Sequence, residues 1–185
     1  MTFLQQIRDS IAHFQAKNDI AFPYSEDDNE KREQIWTNLQ KGILLEDNHV
    51  LIPWKTSFGN LNRYAEKRLN SGDRTNWYLG KHEILDGYNC HIEVTKWLFV
   101  PFWKRFSRID VWLGHDIEGN KTFQFLKEKI TTVLGPPEDV ELEKFGDRDL
   151  GVIKWRKKKV EISLVGIEVF ECKYWLHVGL SSRKL

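Results

Sequence analysis

His82, His91 and Glu93 are the residues whose types and spacing come closest to a reaction centre. If Asp86-Gly87 closes a two-residue turn, His82 faces His91 across a hairpin in a non-hydrogen-bonded pair, with Cβ atoms about 5 Å apart. Glu93 follows two residues along the same face. Two imidazoles and one carboxylate would leave a divalent ion an open position, at which a bound water becomes acidic enough to attack an ester or amide. No residue of the sequence is placed to orient either imidazole, and such a trio is equally ordinary on a solvated sheet face. A metal-dependent hydrolase built on these three residues therefore stands second to a reading without chemistry.

A different signal runs from Lys96 to Arg108, where bases alternate with large aromatics. Pro101 must break any strand here, which leaves Phe102, Trp103 and Phe106 in or beside a connection. Trp97, Phe99, Phe102, Trp103, Lys104, Arg105 and Arg108 could stack single-stranded bases or anchor a protein partner, unless the aromatics simply fold back over their own strand end. Lys and Arg number 28 against 27 acidic residues, a net charge of +1. That balance supplies no long-range attraction for a polyanion, so a protein partner is favoured over nucleic acid. Arg156-Lys157-Lys158-Lys159 is best read as a solvated hairpin tip. Other catalytic patterns are missing: there is no Gly-x-Ser-x-Gly, no His-Glu-x-x-His and no Cys-x-x-Cys, and Glu171-Cys172-Lys173 is a tripeptide that a chain with 30% charged residues produces by chance.

The elements that must position these residues follow from periodicity. Leu4, Ile7, Ile11 and Phe14 mark an amphipathic helix over 2–18, and Ser25 is expected to cap a second that buries Ile35, Trp36 and Leu39 and stops near Gly42. A short hairpin is expected over 43–52 and a small helix over 60–69. A longer hairpin pairs Asn76–Leu85 with Tyr88–Phe99, and a strand covers Arg108–Leu113. Phe123, Leu126, Ile130 and Val133 form the stripe of a third helix that Gly135-Pro136-Pro137 must end. A hairpin turning at Lys157-Lys158 sets Trp155 against Val160, and a last strand covers Lys173–Leu180. The whole is expected to be one α+β domain over 1–185, a largely antiparallel sheet with helices packed on it. No glycine-rich strand-to-helix turn of the mononucleotide-binding kind is present. Tyr78, Trp97 and Phe99 fall on the face opposite Leu79, Ile92 and Val94; either the N-terminal helices cover them, which is the expectation because those helices need something to pack on, or they form an exposed aromatic surface used for binding.

Eight Trp, eleven Phe and five Tyr against a single Met describe a rigid aromatic core. The longest apolar run, Trp97–Trp103, is seven residues, where a membrane span needs about 20. The charged N-terminus lacks the apolar stretch of a signal peptide, which points to a reducing cytoplasm and two buried thiols, Cys90 and Cys172.

Thr122–Leu134 with Gly135-Pro136-Pro137, then Val152–Trp155 and Val160–Leu164, resembles the helix, Leu-Gly-x-Pro and Trp-hairpin pattern of several small bacterial proteins, including immunity proteins of polymorphic toxin systems. The resemblance covers about a third of the chain and concerns a fold element, so it implies no residue roles. It implies a cytoplasmic protein, without cofactor, that neutralises a cognate toxin by binding it. The expectation is thus a non-catalytic protein-binding module; an accessory structural subunit is the remaining alternative, and the oligomeric state is left open.

Overall fold

The computed structural model describes residues 20–116, 120–145, 148–168 and 172–181; the helix expected over 2–18 lies outside them. Helix α1 (Asp28–Lys41) begins where the Asp27 carboxylate accepts the amides of Asn29 and Glu30. Asp27, not Ser25, is therefore the cap, because the Ser25 hydroxyl is engaged one step earlier, with the Asp27 amide and the Glu30 carboxylate. Strands β1 (Gly42–Leu45) and β2 (Val50–Pro53) form the expected short hairpin. A 3-10 turn follows at Phe58–Arg63.

The remaining strands are β3 (Lys67–Ser71), β4 (Arg74–Ile84), β5 (Tyr88–Trp97), β6 (Arg108–Asp116), β7 (Asp139–Phe145), β8 (Arg148–Lys157), β9 (Val160–Glu168) and β10 (Cys172–Leu180), with α2 (Asn120–Leu134) between β6 and β7. They make one eight-stranded antiparallel sheet in the order β3-β4-β5-β6-β10-β9-β8-β7. Two four-strand meanders thus meet at the β6–β10 pair, and α2 carries the chain from the centre to the far edge. The α+β class and the largely antiparallel sheet agree with the sequence reading. Among the described residues no helix is long and apolar enough to cross a membrane.

Both described helices pack on one face. Phe123, Leu126, Ile130 and Leu134 of α2, and Ile35, Trp36 and Leu39 of α1, join Leu79, Ile92, Val111, Leu176, Ile162 and Ile153 in a single core. At about 1.5–3 kcal/mol for each large side chain removed from water, this layer dominates the driving force. The hollows left on this side, beside Tyr24 and Leu39 and beside Tyr88 and Ile130, hold only 10 Å³ each, room for no more than a water.

Four tryptophans serve this layer, and each buried indole N–H has an acceptor. Trp36 and Trp155 donate to the carbonyls of Leu134 and Gly135, closing the end of α2, while Trp54 donates to Leu39 at the end of α1 and Trp77 to Asn62. Helix ends leave carbonyls without intrahelical partners, so these indoles do the work of caps. Gly135, at φ 89°, makes the left-handed turn that lets the α2 end approach them.

Several expectations are corrected. Residues 60–69 form the end of the 3-10 turn and then β3, an edge strand exposed at every position and therefore without a burial period to read. Strand β7 is likewise an edge, with Val140 exposed. The last hairpin turns at Lys158-Lys159, so Trp155 pairs with Ile162 instead of Val160. That slip is by two residues, an even step, and it leaves the expected faces intact. Among the described residues no helix covers Tyr78, Trp97 and Phe99: α1 and α2 lie on the opposite face, because the apolar majority of β4, β5, β6 and β10 points there, and the helix expected over 2–18 lies outside the described residues.

Candidate interaction surface

The turn between β4 and β5 decides the fate of the proposed histidine pair. It contains three residues, Leu85, Asp86 and Gly87, all at positive φ, with Ile84 paired to Tyr88. His82 consequently pairs with Cys90 and His91 with Lys81, which puts the two imidazoles on opposite faces. His82 is fully occupied: Nδ1 lies 3.0 Å from the Asp47 carboxylate and Nε2 2.8 Å from the Leu79 carbonyl, pinning the β1–β2 hairpin to β4. Burial acts against ionisation of Asp47, but the hydrogen bond from His82 and the amide of Glu83 hold its carboxyl below the ordinary value. The trio His82, His91 and Glu93 is not brought together, and among the described residues no three His, Cys, Asp or Glu are placed to hold a metal ion.

The turn itself rests on Glu46, which is 4% exposed. Its carboxylate accepts from Tyr24 Oη at 2.7 Å and from the amides of Asp86 and Gly87 at 3.1 and 2.7 Å. Burial, together with this neighbouring carboxylate, pushes the Tyr24 phenol above its usual range.

Trp97, Phe99, Phe102, Trp103, Lys104, Arg105 and Arg108 lie at one end of the sheet. Leu98, Phe99 and Trp103 are 72%, 82% and 63% exposed, and Trp97 and Phe102 are also exposed. This connection is nonetheless tied down. Leu98 N–H donates to the Asp73 carbonyl, Phe58 N–H to Lys104 and Gly59 N–H to Phe102, Ser57 bridges to Arg105, and Phe106 is buried against Trp54. Lys96, only 2% exposed, sends its ammonium to the carbonyls of Trp97 and Val100 at 3.0 and 2.8 Å and lies 4.4 Å from the centre of the Phe102 ring. Arg68 covers the same ring at 4.8 Å, and Arg74 covers Trp97 at 5.0 Å. The result is a fixed aromatic lip, formed by Trp97, Phe99, Phe102 and Trp103, with Leu98 beside them.

Beside the lip, on the face opposite the helices, lies a trough of about 690 Å³. Strand alternation places Thr95, Glu93 and His91 in line with Trp97, so lip and trough share β5. Glu93 pairs with Asp110, Asp110 with His177 and His177 with Ser163; one step along, His91 pairs with Trp112, and Trp112 with Trp175. The two indoles meet edge to face at 5.2 Å on the central strand pair. His177 Nδ1 is 2.6 Å from Asp110, whose carboxylate also takes Arg108 at 3.2 Å. Burial raises the Glu93 carboxyl above its usual value, and the charge of Asp110 adds to this, against a hydrogen bond from Thr95.

The row Ser163, His177, Asp110 has the order of a nucleophile, a base and an orienting acid, but not the geometry. The Ser163 hydroxyl turns to Glu161 at 3.5 Å instead of to His177. Strand β9 is also paired on both sides, so its amides are committed to the sheet and offer no oxyanion hole. Sequence reasoning missed Asp110, Trp112, Trp175 and His177 as a group. Their alternation along each strand was legible, but the β6–β10 pairing that joins them was not. No family model, curated protein or solved structure matches the chain.

Proposed function

We propose that this chain is a non-catalytic protein-binding module that engages its partner through the lip at Trp97, Phe99, Phe102 and Trp103, with Lys104, Arg105 and Arg108 at its rim. The observation that carries the reading is the combination of exposure with fixation. Large side chains left in water on a mobile loop would lose entropy on binding, whereas here backbone hydrogen bonds and the Lys96 ammonium already hold them in place. Aromatic and arginine side chains of this kind dominate the energetics of protein interfaces. The resemblance of the closing third to immunity proteins makes a toxin the partner class to test, with neutralisation by direct contact. The burial of both Cys90 and Cys172, which are not joined to each other, is in keeping with a reducing cytoplasm.

The test is capture with the full-length chain from its native cells, beside a Phe99→Asp/Trp103→Asp variant that melts at the same temperature. A stoichiometric protein companion held by the wild type and lost by the variant supports the reading. Equal retention by both proteins would show that the lip is not the contact surface.

A further inference from the structure

The trough offers more than a continuation of the lip, because one of its carboxylates has no ion pair among the described residues. Asp110 is paired with Arg108 and hydrogen-bonded to His177, and Arg74, whose charge also reaches Glu93, is paired with Asp73 at 3.6 Å while stacking on Trp97. Glu93 has only the Thr95 hydroxyl at 3.4 Å, and among the described residues no cation lies within ion-pair distance of it. It is held half-buried beside a second carboxylate, an arrangement that opposes its ionisation. Tyr78 stands across from it on β4, and Trp112 and Trp175 face the same hollow one pairing step away.

A carboxylate without an ion pair beside half-buried indoles that line the same hollow is complementary to one kind of group. A guanidinium presents a planar fork of donors that fits a carboxylate and a flat, weakly hydrated surface that stacks on indole; an ammonium has the charge without the fork or the plane. The hollow, at about 690 Å³, exceeds what one such side chain fills, and it adjoins, at Arg74, Thr95 and Asp110, a smaller hollow lined by Trp97 of the lip. We infer that the trough receives an arginine side chain of the bound protein, paired with Glu93 and stacked on Trp112 or Trp175, while the lip takes the apolar surface around it.

This rests on the contact reading for the identity of the ligand as a protein, but it can be tested without the partner. The isolated chain is titrated with the peptide acetyl-Gly-Arg-Gly-amide while the indole N–H resonances of Trp112 and Trp175 are followed by NMR. The expected result is a saturable shift of those two resonances. The affinity should fall on the order of fivefold or more when citrulline replaces arginine, and by a similar factor in Glu93→Gln, while Phe125→Ala, on the exposed side of α2, leaves it unchanged. Equal shifts with the citrulline peptide, an unaffected Glu93→Gln variant, or no shift up to the solubility limit of the peptide would each overturn the inference. Because capture is read at the lip and the titration at the trough, either can fail while the other stands.

Discussion

Replacing Lys96 with Met should loosen the lip and lower the stability of the whole chain. The ammonium bonds two carbonyls at 3.0 and 2.8 Å, and hydrogen bonds from a charged donor contribute about 1.5–3 kcal/mol each. The Trp97 carbonyl keeps a second donor in the Val100 amide at 2.9 Å, so only the Val100 carbonyl is left without a protein partner. The contact with the Phe102 ring adds about 0.5–2 kcal/mol, and against all of this Met has no charge to desolvate. The net loss should be about 2–3 kcal/mol, or roughly 5–10 °C in Tm for a chain of this length. Thermal unfolding followed by circular dichroism gives the first number, and native-state hydrogen exchange over 97–106 gives the second, as faster exchange confined to the connection. A Tm within about 1 °C of the wild type, with unchanged exchange, would refute the claim that the buried ammonium holds the lip.

Three further outcomes follow from the same geometry. Because folding raises the Glu93 carboxyl above its ordinary value, the native state binds that proton more tightly than the unfolded chain, and ionised Glu93 lowers stability above its native pKa. Glu93→Gln should therefore melt higher than the wild type at neutral pH, and the difference should shrink as the pH falls through the native value and below about 4.3; a difference that grows on acidification would contradict this. Glu46→Ala strands the Tyr24 hydroxyl and the amides of Asp86 and Gly87, and urea unfolding should register a loss of about 2–4 kcal/mol. Burial, with the charges of Glu46 and Asp47 adding to it, pushes the Cys90 thiol up to about 12, and Cys172 is also fully enclosed. A thiol reagent should accordingly label neither cysteine in the native protein and both in denaturant, and native labelling of either would show that its cover opens.

What could be read from the residues alone was local. The stripe and the Gly135-Pro136-Pro137 stop place α2, and alternation sorts the two faces of β10, because both signals depend on near neighbours in the chain. Exposure of the Lys96–Arg108 segment was posed by its composition but not answerable from it, since Phe106 in the same segment is buried while Phe99 is open to solvent.

Tertiary structure decided the rest, for two physical reasons. One residue more in the turn at Leu85, Asp86 and Gly87 moves His82 to the face opposite His91, because side chains in a strand alternate with a period of two. The β6–β10 pairing, which brings Asp110 to His177 and Trp112 to Trp175, joins segments far apart in the chain. It depends on contacts between residues distant in the chain, so no local pattern announces it. The residues were there to be read; their meeting on one open face depended on which side of the sheet the helices took.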